Sequence, residues 1–112
     1  MQDNSCCCYT LAIRQISCQN SISRCIDNVY TNIFIGSSIS LDFGYKITIT
    51  NTTCCGVNIK LTNCNFIPDL TFNIPNDSYK IFDLPQESGT FKVFIGARKT
   101  CCPATCANCN NC

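Results

Sequence analysis

The fold is decided by the stretch ISLDFGYKITI at residues 39–49. Every large apolar side chain in it occupies an odd position, and polar or small residues occupy the even positions. Because successive side chains of a β-strand point to opposite faces, this period of two predicts a strand with one buried face. Gly44 lies at the centre of the stretch, which is therefore either one long strand or two strands that break near this glycine.

The same alternation recurs along the chain and predicts further strands. Clear signals lie at residues 57–61, 70–74 and 91–95, and weaker ones at 79–82, 26–35 and 9–16. Residues typical of turns separate these runs at 51–53, 68–69, 75–77 and 85–89. Seven or eight short strands with frequent turns predict an all-β protein, a single β-sandwich or jelly roll. A short helix within residues 15–25 is the one local alternative.

Length and composition exclude several classes of protein. A chain of 112 residues is expected to form one domain. It is 46% hydrophobic with a formal charge of +1, which argues against disorder, and it has no basic patch for nucleic acid. Its longest apolar runs span about three residues, whereas a membrane-spanning helix needs about 20.

Catalytic residues are scarce, so the sequence predicts a protein that is not an enzyme and needs no cofactor. There is no His, which removes the commonest general base and the Ser-His and Cys-His nucleophile pairs. Seven carboxylates remain, and none has a spacing that indicates an acid/base pair. They are Asp3, Asp27, Asp42, Asp69, Asp77, Asp83 and Glu87.

The chain divides into three segments by composition. Residues 1–8 form a Cys-rich N-terminal arm, and residues 9–97 form a body that carries nearly all large hydrophobic side chains. Residues 98–112 form a tail with five Cys and no large hydrophobic residue. We therefore expect one packed body between two segments that are rich in thiols.

Thirteen of the 112 residues are Cys, more than the ~8–10% that is typical of a disulfide scaffold. Such usage indicates an oxidising compartment. Residues 1–5 nevertheless lack the charged and apolar regions of a secretory signal. Three explanations stay open: a mature chain with an added Met, thiols that hold metal in a reducing cytosol, or oxidation after the producing cell lyses.

Adjacent cysteines recur at 6–8, 54–55 and 101–102. Neighbouring side chains of an extended segment point to opposite faces, so one thiol can bond within the domain while the other faces outward. Thirteen is odd, so complete oxidation to disulfides requires at least one bond outside the chain. The alternative is a self-contained domain with one idle thiol.

We assign the cysteines to two groups. The candidates for disulfides within the body are Cys18, Cys25, Cys54, Cys55 and Cys64. The candidates for intermolecular disulfides are Cys6, Cys7, Cys8, Cys101, Cys102, Cys106, Cys109 and Cys112.

The tail also admits a metal site as the alternative function. Cys106, Cys109 and Cys112 have Cys-x₂-Cys spacing and, with Cys102 or Cys101, can supply four thiolates to zinc or an iron–sulfur cluster. Structural zinc sites usually combine two separated pairs of ligands, whereas these cysteines lie in one short segment, and their order differs from that of bacterial ferredoxins. A secreted monomeric disulfide domain that binds a partner is the third hypothesis.

The combination of a β-rich body with an N-terminal run of cysteines resembles the spore appendage subunits of spore-forming bacteria, the ENA-type fibre proteins. Residues 6–8 stand where that family carries a Cys-Cys motif in its N-terminal connector. Four segments of residues 6–97 are similar to the family's body strands. They are ITITN at 47–51, VNIKL at 57–61, FNIP at 72–75 and TFKVF at 90–94.

The resemblance implies a jelly-roll subunit whose connector forms disulfides with subunits further along a stack. The function expected from it is a structural one: self-assembly into a disulfide-cross-linked extracellular filament or spore-surface appendage. The partners would be copies of the same chain, joined through strand edges and disulfides, at the spore or cell surface. The tail has no counterpart in the family and would supply a second set of covalent links.

Overall fold

The computed structural model describes residues 7–19, 22–87 and 89–101. These residues form eight β-strands and a single 3₁₀ turn, Asp42–Gly44, so the all-β prediction is confirmed. No helix in these three ranges is long and apolar enough to cross a membrane. The strands are β1 (Cys7–Gln19), β2 (Ile22–Ile33), β3 (Ser38–Ser40), β4 (Lys46–Thr52), β5 (Gly56–Asn63), β6 (Ile67–Pro75), β7 (Ser78–Gln86) and β8 (Gly89–Cys101).

The strands form two antiparallel four-stranded sheets. The terminal sheet has the order β2-β1-β8-β7, and the central sheet has the order β3-β4-β5-β6. In the described chain, β1 and β8 are the one pair of adjacent strands that are not neighbours in sequence. The arrangement is the predicted sandwich, but its strand order follows hairpins and differs from the two Greek keys of a jelly roll.

The core between the sheets is built from alternate residues, as the period of two predicted. Inward positions of the central sheet carry fully buried Ile47, Val57, Ile59 and Leu61. Inward positions of β1 and β8 supply the opposite layer, which includes Leu11, Ile13, Phe91, Val93 and Ile95. Burial of each such side chain contributes on the order of 1.5–3 kcal/mol before entropy is counted.

The deciding stretch is two strands rather than one, and it breaks at the 3₁₀ turn. Phe43 in this turn has a left-handed φ of 62° and is 39% exposed, so it departs from the alternation. Its ring lies 4.8 Å from that of Phe91, and its carbonyl accepts a 3.0 Å hydrogen bond from Asn63 Nδ2. These two contacts hold the turn against the core, and the left-handed backbone of Phe43 interrupts the strand there.

Two predictions need correction. The segment 68–69 was expected to break a strand, but Pro68 lies inside β6, and Pro85 likewise lies inside β7. Both are edge strands, where a residue without an N–H is tolerated because one side of the strand has no partner. The helix considered within residues 15–25 is wrong, because 15–19 belong to β1 and 22–25 to β2.

The regular structure extends beyond the predicted body at both ends. β1 begins at Cys7 and β8 runs to Cys101, and their register pairs these two residues. The alternation of large apolar residues stops near residue 97, but backbone pairing continues past it. Sequence patterning therefore marks the end of the core and not the end of the sheet.

Two hydrogen bonds connect the sheets at one end of the sandwich. The backbone N–H of Asp42 donates to Gln15 Oε1 at 2.7 Å, and the hydroxyl of Tyr45 donates to the carbonyl of Pro85 at 2.6 Å. Tyr45 is almost completely buried, and this burial raises its pKa. Tyr9 is also buried, but its hydroxyl has no hydrogen-bond partner among the described residues.

Leu61 and Leu70 form a matched pair for testing the core. They lie opposite each other on β5 and β6, yet Leu61 is fully buried and Leu70 is 41% exposed. We expect Leu61→Ala to lower the free energy of unfolding by about 2–5 kcal/mol, because it leaves a cavity. Leu70→Ala should cost less than about 1 kcal/mol. Urea unfolding followed by circular dichroism measures both, and equal losses would contradict the assigned core.

Tyr45 and Tyr9 should respond oppositely to removal of the hydroxyl. Tyr45→Phe should lower stability by about 0.5–1.5 kcal/mol, since it leaves the Pro85 carbonyl without its donor. Tyr9→Phe should be neutral or stabilising, because it removes a buried polar atom that makes no hydrogen bond to any described residue. Urea unfolding at neutral pH tests this, and a destabilised Tyr9→Phe variant would contradict it.

The raised pKa of Tyr45 also fixes the sign of an alkaline effect. Above the unperturbed value of 10.0 the unfolded tyrosine loses its proton before the folded one, so this contribution to stability declines as pH rises further. The difference in stability between wild type and Tyr45→Phe should therefore shrink above pH 10. A constant difference from pH 8 to 11 would argue against burial as the cause.

Candidate functional site

The turn between β4 and β5 places adjacent cysteines on opposite sides of the chain. Thr53 organises it: its Oγ1 accepts hydrogen bonds from the backbone N–H groups of Cys55 and Gly56 at 3.1 and 3.2 Å. The N–H of Thr53 donates to the Gly56 carbonyl at 3.0 Å. Cys54 is 3% exposed and contributes to the core, whereas Cys55 is exposed. The two adjacent cysteines are therefore buried unequally, one in the core and one at the surface.

Gly56 fixes this turn against β6. A Cβ at position 56 would lie 2.7 Å from the carbonyl oxygen of Ile74, closer than side chains tolerate. The close approach lets β5 begin directly after the two cysteines. The cysteine pair is thereby held at a defined point on the rim of the central sheet.

The cysteines with described side chains fall into two chemical states. Cys8, Cys54 and Cys55 are disulfide-bonded. Cys18, Cys25 and Cys64 are free thiols, and all three are exposed. The body candidates named from the sequence are therefore split between both states.

Cys18 and Cys25 share the outward face of the β1–β2 hairpin. Cys18 lies opposite Ser23, with Sγ 3.3 Å from Oγ, and Cys25 lies opposite Ile16. The two cysteines are therefore diagonal neighbours, whose Cα atoms lie about 7–8 Å apart in such a pair. A disulfide needs about 4.4–6.8 Å, so this register favours two separate thiols over an internal bond.

Cys64 occupies the turn between β5 and β6, at one end of the central sheet. It is far in sequence from the hairpin thiols and belongs to the opposite sheet. The described sandwich thus presents reactive thiols from both of its sheets. A molecule with thiols in two places can form disulfides with more than one partner.

Part of the predicted cysteine set lies outside the described residues: Cys6, Cys102, Cys106, Cys109 and Cys112. Cys7 and Cys101 are described only by backbone, and the register brings them opposite each other in the terminal sheet. The metal site considered for the tail also falls outside. Within residues 7–19, 22–87 and 89–101, no three ligating side chains are grouped to hold a metal ion.

Sequence reasoning missed a second surface, on the outer face of the terminal sheet. Val29 and Tyr79 are each 65% exposed, and Ile81 also faces solvent. The sequence predicted only a weak strand at residues 79–82 and did not assign its two faces. The alternation along β7 indicates this face. Phe82 and Leu84 face inward, so Tyr79 and Ile81, at the odd positions, face outward.

Comparison with known proteins identifies no relative of this chain. No family model matches it, and no curated protein and no solved structure is significantly similar to it. Functional interpretation therefore depends on the positions and chemistry of the residues themselves.

The two cysteine states predict a labelling pattern. Iodoacetamide applied to the native protein should modify Cys18, Cys25 and Cys64, because thiols react as exposed thiolates. Cys8, Cys54 and Cys55 should be modified only after reduction and unfolding. Peptide mass spectrometry with two isotopic forms of the reagent, one before and one after reduction, gives the result. Native modification of Cys54 would contradict the assignment.

Proposed function

We propose that this protein is a structural subunit that self-assembles into a disulfide-cross-linked extracellular filament or spore-surface appendage. The observation that carries the proposal is the trio of exposed free thiols on a β-sandwich, Cys18, Cys25 and Cys64. In an oxidising environment an exposed thiol without a partner in its own chain reacts with a thiol of another molecule. In a purified sample, copies of the same chain supply such thiols.

The predicted N-terminal arm supplies the cysteines that would bond to these free thiols. Cys6 and Cys7 of one copy would bond to hairpin or turn thiols of the next, so the contact is head-to-tail. A head-to-tail contact that does not close into a ring repeats as a helical filament. Each interchain bond must then be cleaved before a subunit can leave, which makes the polymer kinetically stable.

Strand edges support the same assembly. β2 is an edge strand of 12 residues with no proline, whereas the edge strands β6 and β7 contain Pro68, Pro75 and Pro85. An open edge presents unpaired N–H and C=O groups that can pair with a strand of another copy. The unprotected edge lies beside the two hairpin thiols, so pairing there would bring a second chain within their reach.

The proposal is tested by oxidising purified protein, blocking remaining thiols and running a boiled SDS gel with and without reductant. We expect material that stays at the top of the gel without reductant and migrates at 12.4 kDa with it. Negative-stain electron microscopy should show filaments in the oxidised sample. A 12.4 kDa monomer in both lanes would contradict the proposal.

Cysteine variants locate the links. The triple variant Cys18→Ser/Cys25→Ser/Cys64→Ser should lose most of the ladder of disulfide-linked multimers on the gel, and Cys6→Ser/Cys7→Ser should also weaken the fibre. The matched control Ser38→Ala/Ser40→Ala/Thr90→Ser changes three exposed positions without touching a thiol and should retain the ladder. Circular dichroism confirms that each variant is folded. An undiminished ladder in both cysteine variants would exclude these residues as links.

Metal analysis of the same material distinguishes the structural role from the alternative function, metal binding. A monomer with about one equivalent of zinc, or with the colour of an iron–sulfur cluster, would support a thiolate metal protein that uses the C-terminal cysteines. Metal-free polymer supports the structural role.

A further inference from the structure

The outer face of the terminal sheet, the face turned away from the core, contains an apolar groove of about 450 Å³. The register aligns Val29, Ala12, Gly96 and Tyr79 in one row across the four strands. Ala12 and Gly96 have almost no side chain and form the floor, while Val29 and Tyr79 form the walls. The adjacent row places Phe94 beside this floor.

The corresponding face of the central sheet is polar and provides an internal comparison. Its outward positions include Thr48, Thr50, Asn58, Lys60 and Thr71. An antiparallel sheet that faces water on one side normally has such an alternation of apolar-in and polar-out residues. The terminal sheet departs from this pattern because its outer face also carries apolar side chains. Exposed apolar patches of this kind mark interaction surfaces.

The charged side chains on this face form ion pairs with one another. Arg14 donates to Asp27 at 2.6 Å, and Lys92 lies 3.6 Å from Asp83. Arg14 also lowers the pKa of Asp27 through this hydrogen bond. Because each cation has its own anion, two identical faces can approach without net repulsion. A strongly charged partner such as nucleic acid would find no complementary field here.

We infer that the outer face of the terminal sheet is the docking surface for a second copy of this chain. A two-fold axis that runs along the strands, between β1 and β8, would make the face self-complementary. It places Tyr79 of one copy over Val29 of the other, beside the small floor residues. It also places Arg14 over the ring of Phe94, a favourable arrangement of a cation and an aromatic face.

The area of the face is that of a stable interface. Four strands at about 4.8 Å spacing are about 19 Å wide, and nine to 13 residues at about 3.3 Å are about 30–43 Å long. The face therefore covers about 600–800 Å² on each copy, within the range of a standard protein–protein contact. The docking needs neither a disulfide nor a strand edge, although Cys18 and Cys25 lie on the same outward face.

The test is done in reductant, which removes any contribution of disulfides. Light scattering after size exclusion should find a dimer of the wild type at about 50–100 μM. The variant Val29→Lys/Tyr79→Lys should raise the dissociation constant at least tenfold. The matched control Thr50→Lys/Thr71→Lys adds the same charge to the central sheet and should leave the constant unchanged. A monomeric wild type, or equal dissociation in both variants, would overturn the inference.

Chemical cross-linking tests the same docking without any substitution in the docking surface. The same axis places the two copies of Cys18 about 11 Å apart, given sheets about 10 Å apart and strands about 4.8 Å apart. A short bismaleimide should therefore link Cys18 to Cys18 in the reduced wild type. Cys64 lies on the other sheet and should give no such link. Cross-linked peptides with Cys64 in place of Cys18 would overturn the assigned face.

Discussion

The pairing of β1 with β8 holds the two ends of the described chain together, and the rest of the structure depends on it. The register runs from Cys7 opposite Cys101 to Ser17 opposite Phe91 without a shift. It joins the β1–β2 and β7–β8 hairpins into one sheet whose inner face supplies half of the core. A single hairpin is at best marginally stable in water, so neither would persist without this pairing. The loop that it closes is most of the chain, which makes this step costly in entropy and favours slow folding.

The central sheet completes the sandwich and gives the cysteines fixed positions. Its strands bury their inner side chains against the terminal sheet, and its tight Thr53–Gly56 turn holds Cys54 inward and Cys55 outward. Cys18 and Cys25 extend from the opposite sheet. Because strands hold side chains more rigidly than loops, thiols placed on them meet only partners that approach from a particular direction. The proposed head-to-tail assembly requires thiols with such a fixed direction.

Much of the fold could be predicted because alternation is a local property. Residues 39–49 and 57–61 displayed their buried faces directly in sequence. What could not be predicted depends on which strands are adjacent. Residues 79–82 gave only a weak strand signal, and the pairing of β7 with β8 shows that Tyr79 and Ile81 face outward. The strand order, which separates this sandwich from a jelly roll, likewise carries no local signal.

The candidate site was predicted only in part, for a related reason. The sequence established the positions and the odd number of the cysteines, but it did not show that Cys18, Cys25 and Cys64 are free and exposed in the fold. The apolar groove is a product of four strands whose residues are remote in sequence. Its floor needs Ala12 beside Gly96, and only the terminal pairing brings these two together.

The central claim is that disulfides join different copies of the chain, and isotope mixing tests it most directly. Equal amounts of ¹⁴N and ¹⁵N protein are reduced, mixed, oxidised together and digested without reductant. Intermolecular bonds at Cys18, Cys25 or Cys64 should give linked peptides in which one half is ¹⁴N and the other ¹⁵N, at about half of the total for random mixing. Linked peptides that are purely ¹⁴N or purely ¹⁵N would show that every bond closes within one chain, and would contradict the account.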